Sequence, residues 1–182
     1  MEEHAYILDY LPKGLPSGSF AKKDPLCYAL GDEEFKLFEL APKANVTMNI
    51  GDRVYIGKET SGRAQIDHVK RRVGYDELTA AAKAELEYVV TDIVMADQTR
   101  YIRFYNDAQA ISLRRHMLEE LPGLGKKTMM AIIDERKKGA FKDFDELGKR
   151  VPLIKGPEKN IIKRIVQELS EPDLKHYIFV SR

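Results

Sequence analysis

Cysteine and tryptophan are nearly absent from this chain of 182 residues, which contains one cysteine, Cys27, and no tryptophan. A single thiol excludes a disulfide framework and a thiolate-cluster zinc site, and it is typical of a reducing compartment. The sequence also lacks an apolar run of about 20 residues, so we expect no membrane span. Its acidic start, MEEHAYILDY, is unlike the basic start of a signal peptide. We therefore expect a soluble, cytoplasmic protein.

A strong net charge is missing too, since the formal net charge is +1 at pH 7. That average combines two unlike parts. Residues 1–97 contain 12 Lys and Arg against 17 Asp and Glu, whereas residues 98–182 contain 18 against 12. An acidic first part and a basic second part suggest two functional units, with the affinity for polyanions in the second.

Secondary-structure signals divide the chain in a similar way. Residues 1–75 predict five short strands, and that number of strands in a short chain favours a small closed or half-closed barrel. The strand-like segments are AYILDY (5–10), LCYALG (26–31), FKLFELAP (35–42), NIGDRVYIGKE (49–59) and RAQIDHVKRRV (63–73). Residues 76–98 change to helical spacing and predict a connecting helix with Asp76 as N-cap.

Residues 99–182 predict an all-α domain with a C-terminal extension. RYIRFYND (100–107) is interpreted as extended or as an irregular turn, and four helices are predicted between Asp107 and Ser170. These are AQAISLRRHMLEE, KKTMMAIIDERKKG, DFDELGKRV with Asp143 as N-cap, and PEKNIIKRIVQELS with Pro157 at its first position. The last segment, LKHYIFV, is strand-like and is expected to return to the barrel or to cover a helix. The expected fold class is α+β in two domains.

The stretch LPGLGKKT (121–128) carries the strongest functional signal. It is not a Walker loop, because Glu120 stands where that loop has its first glycine and Lys127 where it has Ser or Thr. Gly123 and Gly125 permit a tight turn, and amides at the start of the next helix suit a phosphate oxygen. Lys126 and Lys127 add charge and Thr128 a hydroxyl donor, while Leu124 turns inward. A bare turn between two helices is the alternative.

The surrounding pattern resembles the helix-hairpin-helix motif, a DNA-binding element that does not read sequence. FKDFDELGKRVPLIKGPEKNIIKRIV resembles the second copy in tandem helix-hairpin-helix domains, so the resemblance covers about residues 112–169. In the second hairpin Leu153 stands where the first hairpin has Gly123, and the single glycine, Gly156, is displaced by one residue from the position of Gly125. A phosphate backbone could then be contacted electrostatically through Lys155 and Lys159. The resemblance also implies that carbonyls near Leu118, Leu121 and Gly123 hold a monovalent cation.

The N-terminal segment NIGDRVYIGKE resembles the strand openings of OB-fold and S1-like barrels, and such barrels bind single strands on exposed aromatics. The candidate contacts centre on the basic run Lys70, Arg71 and Arg72. Further candidates are Phe20, Tyr28, Tyr55, His68, Lys58 and Arg63. Buried aromatics and a solvated charged face are the alternative. The complete order of elements resembles an archaeal family of uncharacterised proteins with a suggested nucleotide- or nucleic-acid-binding role.

Signs of catalysis are sparse. The four histidines, His4, His68, His116 and His176, have no metal-ligand spacing, and Asp67 and His68 are expected on opposite faces of a strand. We expect no enzyme and no cofactor beyond that cation. The expected function is non-catalytic grip of DNA or RNA, which Gly123→Val or the double change Lys126→Glu/Lys127→Glu should weaken. The alternatives are a protein–protein adaptor in a nucleic-acid-processing or translation complex, and a substrate-gripping subunit of a nuclease. The oligomeric state is open.

Overall fold

The computed structural model describes residues 1–15 and 24–182, which form two compact units. The first unit comprises Met1–Val89 and Glu168–Arg182, and the second comprises Val90–Gln167. Phe20, one of the aromatic candidates, lies outside the described residues. Each unit is described by itself below.

The first unit contains a five-stranded antiparallel sheet followed by helix. The strands are β1 (His4–Leu11), β2 (Leu26–Gly31), β3 (Leu37–Pro42), β4 (Arg53–Tyr55) and β5 (Ile66–Arg72), in the spatial order β4-β1-β2-β3-β5. All four pairings are antiparallel. The prediction of five short strands and of an α+β class is therefore confirmed.

The sheet is covered on both faces at its centre, which explains why every residue of β2 is buried. Cys27 and Ala29 belong to one apolar cluster, while Tyr28 and Leu30 are buried on the other side of the same strand. A register shift follows Ile7 in β1, so that Ile7 and its neighbour Leu8 are both fully buried. Bulges re-aim side chains in this way.

The long helix α1 (Ala80–Ala96) begins later than the sequence predicts. Asp76 lies in a 3₁₀ turn (Tyr75–Glu77), and the hydroxyl of Thr79 instead accepts from the amide of Ala82 at 3.1 Å. The same hydroxyl donates to the carboxylate of Asp9 at 2.6 Å. Asp9 is nearly buried, so this bond satisfies a carboxylate in β1 and fixes the first turn of α1 at the same time.

The C-terminal segment belongs to the first unit but is not a strand. One oxygen of the buried Glu168 carboxylate accepts from the amides of Ile178, Phe179 and Val180 at 2.9, 3.0 and 3.0 Å. The amide of Ser181 donates to the carbonyl of Glu34 at 3.0 Å. The segment is therefore held within the first unit by its own amides, three on a side-chain carboxylate and one on a backbone carbonyl, rather than by a strand ladder.

The second unit is helical, and its order of elements differs from the prediction at its start. It contains part of α1, then α2 (Gln98–Asp107), a 3₁₀ turn (Met117–Glu120), α3 (Lys126–Arg136), α4 (Phe144–Arg150) and most of α5 (Pro157–Ser170). Asp143 caps α4 by accepting from the amide of Glu146 at 2.8 Å, and α5 begins at Pro157, as predicted.

The segment from 98 to 120 reverses the predicted assignment. Residues 100–107 lie within helix α2, because Tyr101, Ile102 and Tyr105 form one buried face. Residues predicted as the first helix instead form a tight hairpin, with Ala110 bridged to His116, followed by the 3₁₀ turn. Only Leu118 is buried between Gln109 and Glu120, so a helix there would have had no apolar face to pack.

Candidate nucleic-acid interface

The first hairpin turn joins the 3₁₀ turn to α3 and is built on two buried leucines. Leu121 and Leu124 are both buried, and the amide of Leu124 donates to the carbonyl of Leu121 at 3.2 Å. Gly123, between them, has φ of +82°, a conformation that side chains other than glycine's rarely adopt. The two buried leucines anchor the turn, and Gly123 allows the backbone conformation that the turn requires.

The start of α3 presents backbone amides to solvent. Gly125 is the N-cap residue, has no side chain to cap the helix, and accepts the first helical bond from Met129 at 2.9 Å. The amides of Lys126, Lys127 and Thr128 precede that bond, and no acceptor for them occurs among the described residues. A Cβ built on Gly125 would meet nothing within 4 Å, so the approach to these amides is open.

Lys126 and Lys127 add two charges at the same place. Both are exposed, and in the described part of the chain neither lies within ion-pair distance of a carboxylate. Thr128 is half-buried. The partial positive charge of the helix N-terminus and the two ammonium groups therefore have the same sign and the same location.

Helix α5 fixes the position of this hairpin. The side-chain amide of Asn160 donates to the carbonyl of Pro122 at 2.8 Å, and Arg164 donates to the carbonyl of Glu120 at 3.2 Å. Neither residue was singled out from the sequence, because both contacts join positions about forty residues apart. Of the carbonyls predicted to hold a cation, those of Leu118 and Leu121 already accept one backbone hydrogen bond each.

The second hairpin repeats the apolar turn but not the amide surface. Val151 and Ile154 are buried, and their backbones form the same bond, at 3.1 Å. Gly156 has φ of +96°, but the helix then begins with Pro157, which has no amide proton to donate. The carbonyl of Pro157 accepts from the hydroxyl of Tyr105 at 2.6 Å, inside the unit. Lys155 and Lys159 are exposed, so their charges are available for electrostatic contact with an anion.

The basic run on β5 belongs to the first unit, whereas both hairpins belong to the second. Lys70, Arg71 and Arg72 are all exposed. Arg71 is engaged, since its guanidinium lies 2.7 Å from the carboxylate of Glu77 and 3.7 Å from that of Glu39. The hydrogen bond to Glu77 raises the pKa of Arg71. Lys70 and Arg72 are the members of the run without a carboxylate partner among the described residues.

The aromatic candidates of the sheet are only partly available. Tyr28 is buried at 2% exposure and cannot stack on a base. Tyr55 packs edge-on against His4 and lies over Gly57 and Gly62. His68 is exposed, with its Nδ1 2.6 Å from a carboxylate oxygen of Asp67. The expectation that Asp67 and His68 point apart is wrong, because a register shift lies at this point of the β3–β5 pair.

A surface groove of about 690 Å³ lies beside His68. Its aromatic and charged groups come from Tyr10, Asp24, Lys43, Asp67, His68 and Lys70. Tyr10, which is half-buried near the end of β1, and Lys43 were missed from the sequence. Besides the Asp67–His68 pair, two of these groups are engaged, since Tyr10 donates to the carbonyl of Val46 at 3.2 Å and Lys43 donates to the carbonyl of Arg63.

The thiol of Cys27 and the imidazole of His116 are both tied into the fold. No cluster of three or more His, Cys, Asp or Glu side chains suited to a metal occurs there. Burial raises the pKa of the Cys27 thiol to about 12, so the thiolate is strongly disfavoured. His116 is half-buried and accepts from the amide of Leu118 at 3.0 Å, which makes it a helix cap. No helix in the described ranges has the length and apolar character to cross a bilayer.

Comparison with known proteins places the chain in a family. The family described as "Protein of unknown function (DUF655)" matches residues 1–181. The chain belongs to the DUF655 family. Uncharacterized protein MJ0038 of Methanocaldococcus jannaschii is 43% identical over 181 residues, which are 99% of this chain and 80% of that protein.

A solved structure of the DUF655 family has the same fold. The crystal structure of Af1531 from Archaeoglobus fulgidus superposes with a TM-score of 0.91 at 41% sequence identity. The match covers 99% of this chain and all of that one. Both relatives come from archaea, which agrees with the archaeal family that the sequence resembles.

Proposed function

We propose that this DUF655 protein binds the phosphate backbone of nucleic acid through its first hairpin, without reading bases and without catalysing a reaction. The observation that carries the proposal is the open row of amides at the start of α3, from Lys126 to Thr128, with no acceptor in the described chain. Unpaired helix N-terminal amides attract anions. Donors of this kind bind phosphate oxygens and carry no base specificity.

The surroundings of the amides support a polyanion rather than a small anion. Lys126 and Lys127 extend outward from the amide row, and Gly125 leaves space in which a nucleic-acid backbone approaches closely. Lys155 and Lys159 of the second hairpin add charge within the same unit. Several spaced cations suit a chain of phosphates, because each neutralised phosphate releases counterions.

We further propose that the sheet is an OB-like barrel and that the helical region is a tandem helix-hairpin-helix domain. The sheet contributes a weaker contact with single strands through Lys70, Arg72 and His68. Two observations support this contact: all three side chains are exposed, and Lys70 and His68 line the same groove. Arg71 contributes little in this proposal, because Glu77 and Glu39 already hold its guanidinium.

The decisive experiment is a charge reversal with a matched control on the same helix. Lys126→Glu/Lys127→Glu places two carboxylates at the amide row. Lys137→Glu/Lys138→Glu makes the same change of net charge just after the C-terminal end of α3, where both lysines are exposed and lie near the carboxylates of Asp134 and Glu135. Affinities for ssDNA, dsDNA, ssRNA and dsRNA are measured by filter binding at several salt concentrations.

We expect the first double variant to lose binding and the control to retain most of it. For duplex DNA, log K falls as log salt rises, and removal of two phosphate contacts makes this negative slope shallower by about 1.8. Equal losses in the two variants would show that net charge alone matters, and unchanged affinity in a folded Lys126→Glu/Lys127→Glu variant would refute the hairpin site. Absence of binding by the wild type to all four nucleic acids would refute the function and favour a protein adaptor.

A further inference from the structure

The hairpin of residues 110–116 presents an apolar tip to solvent. Leu113 is 108% exposed and Ile111 is 41% exposed, in a unit whose other leucines and isoleucines are mostly buried. Arg114 follows directly, and among the described residues no carboxylate lies within ion-pair distance of it. An exposed leucine flanked by a cation at the tip of a turn has no packing role in the chain itself.

The tip is held in a defined conformation. Ala110 is bridged to His116, and the amides of Ile111 and Ser112 both donate to the carbonyl of Arg115, at 2.8 and 3.0 Å. The hydroxyl of Ser112 accepts from the amide of Arg114 at 3.3 Å. Leu113 is therefore presented by an ordered turn, and ordering it on binding carries a small entropic cost.

The tip is also joined directly to the first hairpin. Arg115 donates to the carboxylate of Glu120 at 3.0 Å, and Glu120 is the residue that precedes the hairpin turn. Arg136 of α3 donates to the carbonyls of Tyr105 and Ala108 at 3.1 and 2.9 Å, which fixes the other end of the loop to the same helix. The loop that carries the tip is thus bonded to the residue before the hairpin turn and to the last residue of α3.

The charge around the tip suits a polyanion. The acidic residues between 110 and 128 are Glu119 and Glu120, and both are engaged inside the unit. Glu119 accepts from the amide of His116 at 2.7 Å, and Glu120 is paired with Arg115 and Arg164. Arg114, Lys126 and Lys127 remain as outward charges without a carboxylate partner in the described chain.

We propose that Leu113, supported by Ile111 and Arg114, is a wedge that inserts between two base pairs of duplex DNA held by the first hairpin. The proposal rests on the proposed function and specifies the nucleic acid. Aliphatic wedges enter base steps of duplex DNA and kink it, with an adjacent cation on the backbone. Single strands are instead bound by aromatic side chains that stack on bases, and the tip has none. The chemistry of the tip therefore selects the duplex.

The test uses the full chain and a short duplex that contains 2-aminopurine at A·T steps, whose fluorescence rises when the base is unstacked. The variants are Leu113→Ala, Leu113→Met and a control, Ile50→Ala, which truncates an aliphatic side chain that is 47% exposed in the other unit. Leu113 makes no core contact, so its truncation leaves the fold intact, which circular dichroism checks. Light scattering gives the oligomeric state of each protein.

We expect the wild type, Leu113→Met and Ile50→Ala to raise the fluorescence on binding. Leu113→Ala should bind about tenfold more weakly, with no rise in fluorescence and an unchanged salt slope, because the lost contact is apolar. Equal affinity and equal fluorescence for Leu113→Ala would overturn the wedge, and so would loss of a dimer in that variant with DNA binding unchanged. If Lys126→Glu/Lys127→Glu abolishes binding while Leu113→Ala does not weaken it, the wedge fails and the hairpin site stands.

Discussion

The two glycines of the first hairpin should respond oppositely to the same substitution. Gly123 has φ of +82°, in the left-handed region, whereas Gly125 has φ of −82° and ψ of 170°, which any residue adopts. A Cβ at Gly125 meets nothing within 4 Å, and a Cβ at Gly123 lies 3.5 Å from the side-chain nitrogen of Asn160. Space is available at both positions, so backbone conformation decides the difference.

Serine is the informative replacement at both sites. Gly123→Ser should lower the free energy of unfolding by about 1–2 kcal/mol, because a left-handed conformation strains an L-residue. Gly125→Ser should change it by less than about 0.5 kcal/mol in the stabilising direction, because serine is a good N-cap. The loss of backbone freedom in the unfolded chain is the same in both variants and cancels in the comparison.

Urea denaturation followed by circular dichroism measures this difference. With a slope of about 2 kcal/mol per molar urea, the two midpoints should differ by roughly 0.5–1 M. Equal midpoints, or a lower midpoint for Gly125→Ser, would refute the assigned turn. For the same reason Gly123→Val is a poor test of binding, since a β-branched residue at positive φ disturbs the turn before any ligand is present.

Two further perturbations probe the supports of this hairpin. Arg164→Met should lower the free energy of unfolding by about 2–3 kcal/mol, because it removes a buried partner of the Glu120 carboxylate. Arg115→Met removes an exposed partner of the same carboxylate and should lower it by under about 1 kcal/mol. Urea denaturation compares the two variants, and similar losses would contradict the difference in burial. Burial, with the nearby charge of Arg136, lowers the pKa of His116. The hydrogen bond that the neutral imidazole accepts from the amide of Leu118 therefore stabilises the fold fully above the unfolded pKa of about 6.5 and is lost as pH falls through the lower folded pKa. In that pH range the free energy of unfolding should decline in the wild type and decline less in His116→Asn.

Local signals in the sequence predicted the elements that depend on local physics. LCYALG coincides with β2, and α4 and α5 begin where Asp143 and Pro157 indicate. A capping side chain and an N-terminal proline act within one turn of their own helix, so they need no partner elsewhere. The five strands were found for a similar reason, since alternation and turn residues are properties of each segment.

Residues 98–120 could not be predicted in this way, because distant groups determine their structure. The helix α2 packs through Tyr105, whose hydroxyl bonds to the carbonyl of Pro157 and whose ring lies against Phe144. The adjoining loop is held by Arg136 and by the Arg115–Glu120 pair. Apart from the Arg115–Glu120 pair, these contacts join residues more than twenty-five positions apart, so no local pattern contains them. The exposure of Leu113 follows from the same loop, and the sequence gives no sign of it.

The two hairpins share the buried apolar residues that build the turn but differ in the groups that face solvent. Leu121 with Leu124, and Val151 with Ile154, bury equivalent positions and form equivalent backbone bonds. The apolar turn is therefore a structural requirement that both copies meet, and it carries no information on ligands. The outward surfaces differ, because α3 begins with a glycine N-cap and two lysines while α5 begins with a proline that removes a donor. If phosphate binding resides in free amides, the first hairpin should carry most of the affinity and the second should respond only to the charges of its lysines.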